Sequence, residues 1–119
     1  MIRLGKAWIK VNGELLESMP AAKLDVGGYD RDPVIGATVV LGFSEKVHPA
    51  SVECEISVGK DTRVLDMNKW VSESITFECD TGQVFVIRDA FVQSPPVLTA
   101  EDGGKVPLKF FGPPAEQVN

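Results

Sequence analysis

The chain has 119 residues, 44% of them apolar and 24% charged, with a net charge of −5 at neutral pH. That is the size of one ordinary domain, with room for a single core and a narrow stability margin. The acidic balance argues against a protein that grips nucleic acid, because phosphate binding is driven by lysine and arginine displacing counterions.

In chain order the sequence punctuates like an antiparallel β protein. The start, Met-Ile-Arg-Leu-Gly-Lys, has no apolar stretch of the kind a secretory signal carries, and no run approaches the roughly 20 apolar residues of a membrane span. Residues 6–11 and 14–19 flank Asn12-Gly13. Asn-Gly between apolar runs is a strong hairpin signal, because a type I′ turn needs positive φ at both central residues. A further strand is expected over residues 22–26, stopping at Gly27-Gly28.

Residues 29–49 are the anomaly. They contain Pro33, Gly36, Gly42 and Pro49, which read as loop, yet they also hold Val34, Ile35, Val39, Val40, Leu41 and Phe43. A greasy loop of this length does not suit a compact monomer. The stretch is a hairpin arm that meets another chain, a segment flexible until a partner orders it, or a meander packed on its own core.

Residues 51–58 alternate. Val52, Cys54, Ile56 and Val58 point one way, and Ser51, Glu53, Glu55 and Ser57 the other, as in a strand with one buried and one wet face. Residues 61–71 break that pattern. Asp61 or Thr62 can cap a helix, Lys69 suits its C-terminal end, and Val64, Met67 and Val71 follow helical spacing. This is the one helix expected, laid across a sheet.

A second hairpin is expected from residues 74–79 and 83–92 around Asp80-Thr81-Gly82. Ile75, Phe77 and Cys79 share one face, and Thr76, Glu78 and Asp80 the other. The return strand is apolar on both faces at residues 84–87, which suits a central strand or one that meets another subunit. Residues 105–111 make a last strand, where Pro107 argues for an edge because it has no N–H for a ladder. Gly112-Pro-Pro114 should end ordered structure, leaving residues 112–119 as a polar tail. There is no internal repeat, so residues 1–119 read as a single domain, mainly β with one helix.

Little of the sequence suggests catalysis. Asp80-Thr81-Gly82 matches the aspartic-protease triplet, which a homodimer could pair, but Asp-Thr-Gly is also ordinary turn chemistry between strands. His48 is the sole histidine and has no Cys or His at ligand spacing, so no metal site is expected. Gly103-Gly104 lacks the Lys-Ser/Thr of a phosphate-binding loop. Cys54 and Cys79 are too far apart for a CxxC motif and read as reduced core residues. Trp8 and Trp70 read as core or interface anchors. No cofactor is expected.

Several blocks, in order, carry a resemblance. They are Arg3-Leu-Gly-Lys-Ala-Trp-Ile-Lys-Val-Asn-Gly-Glu-Leu-Leu-Glu17, Ala22-Lys-Leu-Asp-Val-Gly-Gly28, Val40-Leu-Gly-Phe-Ser-Glu-Lys46 and Val52-Glu-Cys-Glu-Ile-Ser-Val-Gly59. Ile75-Thr-Phe-Glu-Cys-Asp-Thr-Gly-Gln83, Val86-Ile-Arg-Asp-Ala-Phe91 and Gly103-Gly-Lys-Val-Pro-Leu108 follow. Together they resemble the tail tube family of Mu-like contractile-tailed bacteriophages, over nearly the whole chain.

The resemblance implies a small antiparallel β-barrel or orthogonal sandwich flanked by a single α-helix, with a long loop or hairpin arm. It implies a non-enzymatic virion protein, assembled in the host cytoplasm, whose hexameric rings stack into the inner tail tube. The implied partners are other copies of itself, tail sheath, baseplate and tape-measure proteins. Viral DNA would pass through the lumen without specific binding, and no membrane is involved. The lumen candidates are then Glu53, Glu55, Thr76, Glu78 and Asp80, whose acidity would repel phosphate, the alternative being an ordinary solvated sheet face. The inter-ring contact candidates are Val34, Ile35, Val39, Val40, Leu41 and Phe43. The helix over residues 61–71 would lie outside, toward the sheath. The competing readings are a monomeric β-sandwich tail or binding module and, more remotely, the dimeric aspartic-type protease.

Overall fold

The computed structural model describes residues 4–16, 22–60, 62–100 and 104–119. Asn12 and Gly13 take φ of 52° and 86°, so the pair turns β1 (Ala7–Val11) into β2 (Glu14–Leu15) as the Asn-Gly signal requires. Residues 17–19 of the expected second strand lie outside the described residues. Next come β3 (Lys23–Asp25), β4 (Gly28–Ile35), β5 (Val40–His48) and β6 (Ala50–Ser57). A helical turn, α1 (Val64–Met67), precedes β7 (Glu73–Cys79), β8 (Val84–Val92), β9 (Lys105–Gly112) and β10 (Glu116–Gln117).

The body is one antiparallel sheet in the order β2-β1-β7-β8-β9-β6-β3, with β10 added along β8. It folds into two layers because β8 serves both. Residues 84–87 pair with β7, while Phe91 and Val92 pair with Phe111 and Phe110 of β9. Asp89 sits between these halves at φ 53°, and the β7–β8 register shifts beside it. A bulge of this kind bends a strand enough to change layers. The end strands β2 and β3 do not pair with each other, so the chain forms a two-layer sandwich and not a closed barrel.

Period-two patterning fills the space between the layers. Ile9, Val11, Ile75, Phe77 and Ile87 come from one layer, and Val52, Cys54, Ile56, Val106, Leu108 and Phe110 from the other, all buried. No polar or charged residue is buried among the described residues.

Three sequence expectations change. The helix expected over residues 61–71 is a single turn. The Thr62 hydroxyl accepts the Gly59 N–H at 2.8 Å and so closes the preceding turn, while Arg63 at the helix start provides no side-chain cap. Past Asn68 the chain is held by tertiary contacts instead: the Trp70 carbonyl accepts the Val92 N–H at 3.0 Å, and the Trp70 ring stacks on Phe110. Met67 is buried, but Leu65 and Val71 are exposed. Asp61 lies outside the described residues.

The tail is not loose. Glu116 and Gln117 pair with Val86 and Phe85, and the Asn119 side-chain amide donates to the Gly82 carbonyl at 2.9 Å. This makes residues 84–86 central, between β7 and β10.

Pro107 occupies a partial edge. Its neighbours at alternate positions, Lys105 and Lys109, bond away from β6, to Thr99 and Gln93. Pro107 faces the gap between those two contacts, where no N–H is needed.

Candidate assembly surfaces

The clearest surface is the β4–β5 hairpin. These strands pair with each other and with no strand of the body, so residues 28–48 form an arm. The radius of gyration is 17.4 Å, against about 13.5 Å for a compact domain of this length. The register makes the arm two-faced. Tyr29 opposes Val47, Arg31 opposes Glu45 and Pro33 opposes Phe43 on one face, with Asp30, Lys46, Asp32 and Ser44 on the other.

Arg31 bonds Glu45 at 3.3 Å and lies over the Phe43 ring at 5.7 Å. At the tip the Gly36 N–H donates to the Val39 carbonyl. Val34, Ile35, Val39, Val40, Leu41 and Phe43 are all exposed, between 43% and 70%. Thus the structure brings every inter-ring candidate together on one arm. Tyr29 and Val47 extend the same surface; only the cross-strand register, which the sequence does not spell out, adds them.

The lumen candidates divide between two faces. Even-numbered β6 residues and odd-numbered β7 residues share the core, so Glu53 and Glu55 lie on the outer face of one layer and Thr76 and Glu78 on that of the other. Layers packed face to face turn their outer faces apart, and one wall cannot hold both sets. Asp80 lies in the β7–β8 turn, where its carboxylate accepts the N–H groups of Gly5 at 3.3 Å and Lys6 at 3.1 Å. The Asp-Thr-Gly triplet is therefore turn structure: Gly82 takes φ 101° and donates to the Cys79 carbonyl.

Charge on the β3–β6–β9 outer face also differs from the sequence expectation. Lys23 opposes Glu53 across one ladder, and Lys109 bonds Glu53 at 3.1 Å across the other. Lys23, Lys105 and Lys109 thus accompany Asp25, Glu53 and Glu55, and the face is balanced where the sequence suggested acidity. On the opposite layer Lys10 bonds Glu78 at 2.9 Å, beside the part-exposed Trp8 and the outward positions of Val84 and Val86.

His48 closes the base of the arm. Its Nε2 lies 2.7 Å from Asp25 and its Nδ1 2.9 Å from Asp30. The hydrogen bond to Asp25, then that to Asp30, raises the imidazole pKa above its usual 6.5. The same contact with His48, helped by the Gly27 N–H, holds Asp25 below its usual 3.8. Among the described residues no cluster of three or more His, Cys, Asp or Glu side chains is arranged to hold a metal ion. Cys54 and Cys79 are free thiols in the core, and burial pushes Cys54 up to about 12.

Residues 1–117 match the family model described as phage tail tube protein. The chain is 31% identical over 116 residues to the tail tube protein of Escherichia phage Mu, covering 98% of this chain and 95% of that one. It is 35% identical over 106 residues to a Mu-like prophage tail tube protein of Haemophilus influenzae, covering 89% and 87%.

Similar folds occur in an extracellular contractile injection system. Its sheath–tube complex in the extended state aligns with a TM-score of 0.69 at 13% identity, covering 98% of this chain and 90% of that one. Its sheath/tube terminator aligns with a TM-score of 0.71 at 14% identity, covering 100% and 97%. The cap of the anti-feeding prophage tube aligns with a TM-score of 0.68 at 10% identity, covering 93% and 86%. With the family matched over almost its entire length, a two-layer β body and a projecting apolar arm, this chain belongs to the phage tail tube protein family.

Proposed function

We propose that the chain closes into hexameric rings, and that these stack into the inner tube of a contractile tail through which viral DNA is ejected. The observation that carries this reading is the arm, an apolar hairpin with no partner strand in its own body. Side chains such as Ile35, Leu41 and Phe43 each contribute about 1.5–3 kcal/mol when moved from water into a contact. The arm is thus the inter-ring contact, with Val34, Ile35, Val39, Val40, Leu41 and Phe43 at its centre. Ring closure joins the edges at β2 and β3 to neighbouring copies, which removes exposed strand edges.

The lumen wall is the β3–β6–β9 face, with Glu53 and Glu55 on it. Its charges cancel and its outward residues are mostly hydrophilic, so passing phosphates find no net attraction. Both outer faces carry some apolar side chains, Trp8, Val84 and Val86 on that of Thr76 and Glu78 and Phe91, Pro107 and Phe111 on this one, so the assignment rests on the row of paired charges Lys23, Glu53 and Lys109. Leu65, 87% exposed on α1, and Val71 are candidates for the sheath side. In this reading sheath, baseplate and tape-measure proteins are the partners. The chain assembles in the host cytoplasm and ends in the virion tail.

Deleting residues 34–41 tests the arm. The shortened chain should fold, judged by circular dichroism, and sediment as unstacked species under conditions where the full chain forms tubes. An unfolded product, or one that still forms tubes, would remove the arm from this role.

A further inference from the structure

The arm is continuous with the body except for one short break. The last body pair is Asp25 opposite Ser51, and the first arm pair is Gly28 opposite His48. Between them lie Val26-Gly27, where the Val26 carbonyl accepts the Ala115 N–H, and Pro49-Ala50, of which Ala50 still pairs with Gly112 of β9. Beyond this break β4 and β5 touch no body strand as ladder partners, so the direction of the arm depends on what spans the break. His48 spans it: the ring sits on the arm side, Asp25 belongs to β3 of the body, and Asp30 on β4 holds the ring from its other nitrogen.

We propose that His48 is a protonation-controlled clamp that fixes the angle of the arm, closed while the imidazolium spans Asp25 and Asp30 and open once the ring is neutral. An imidazolium donates from both nitrogens, so it can close the chain Asp30–His48–Asp25. A neutral ring has one donor and one lone pair, and one carboxylate must then face that lone pair. The two carboxylates around the ring favour the closed form, and the two lysines behind them carry the imidazolium's own sign. Asp25 faces it from β3 and Asp30 from β4, while Lys109 of β9 acts on Asp25 from behind and Lys46 opposes Asp30 across the arm ladder.

The direction of the pH response follows. A histidine raised on folding contributes fully below its ordinary value of 6.5, and the contribution disappears as pH climbs through the raised value. A lowered aspartate contributes above its ordinary 3.8, and that is lost as pH falls through the lowered value. The clamp is therefore closed at mildly acidic pH, below 6.5, and opens on the alkaline side as pH climbs through the raised histidine value. Set before rings meet, this angle decides whether the apolar tip is presented in one direction or many.

The test uses the dilute single chain, so it stands or falls separately from ring stacking. Cysteines placed at Thr38 on the arm tip and Ser74 on β7 carry spin labels; both positions are exposed, and the native thiols are buried. Pulsed dipolar spectroscopy at about pH 5.5 should give one narrow distance peak, lost at about pH 9, where an imidazole is neutral. In His48→Gln the peak should be broad at both values, and in Asp30→Asn broad at the lower one. A peak equally narrow at both values, or a pH response that survives in His48→Gln, overturns the proposal.

Discussion

Trp70 stacks on Phe110, with ring centroids 5.9 Å apart and planes inclined by 25°. The pair pins the segment after α1 to β9, and Phe110 is completely buried. Replacing Phe110 with Ala removes that ring from the centre of the β6–β9 layer. The expected loss is about 3–5 kcal/mol of unfolding free energy, measured by urea denaturation. Leu65→Ser on the exposed side of α1 should change the same measurement by less than about 0.5 kcal/mol.

Gly27 sits at φ 73° in the break between body and arm. A Cβ there would lie 2.7 Å from the Ala50 nitrogen and 2.8 Å from the His48 carbonyl oxygen. Both atoms are backbone, so neither can swing away. Gly27→Ala should cost more than about 1 kcal/mol and move the arm, seen as amide shift changes on both sides of residues 26–28 and 48–50. Gly13→Ala has open space around its Cβ and only the positive φ against it, so its effect should be local to the β1–β2 turn.

Cys54 should be chemically silent. With its thiol pushed up to about 12, its thiolate population at neutral pH is about 10³-fold below that of an ordinary thiol. Burial also raises Cys79, with Asp80 adding to the shift. Neither should react with a chromogenic disulfide reagent in the native protein, and both should react in concentrated urea. Rapid native reaction of Cys54 would mean that the β6–β9 layer opens.

The charge balance on the β3–β6–β9 face has its own consequence. Converting Glu53 and Glu55 to Lys leaves five lysines facing Asp25 there, counted with Lys23, Lys105 and Lys109. Tubes of this variant should retain short DNA fragments in a salt-dependent way, while wild-type tubes should not. Glu78→Lys on the opposite layer should not produce retention. Equal retention by both variants would place the lumen elsewhere.

Much of the architecture was legible because it rests on local pattern. Asn12-Gly13 specified its own turn, and the alternation through Val52, Cys54 and Ile56 specified its own buried face. Three features were not legible, each because it depends on a distant partner. The helix shortens because Trp70 finds Phe110 and Val92 rather than continuing its own turns. The polar tail becomes β10 through backbone bonds to β8, and its side-chain support, Arg88 with Glu116 and Asn119 with Gly82, comes from partners distant in sequence. The lysines that neutralise Glu53 come from β3 and β9, and only the pairing of those strands with β6 reveals them. The arm was half legible: its apolar residues stood out, but whether they folded back or projected depended on contacts the sequence does not list.

The proposed tube is most directly tested by negative-stain imaging of the purified full-length chain at high concentration, with and without preformed tube seeds. The expected result is stacked rings whose end-on averages show six subunits around an open lumen. A chain that remains strictly monomeric under every such condition, or rings of a different symmetry, would contradict the account.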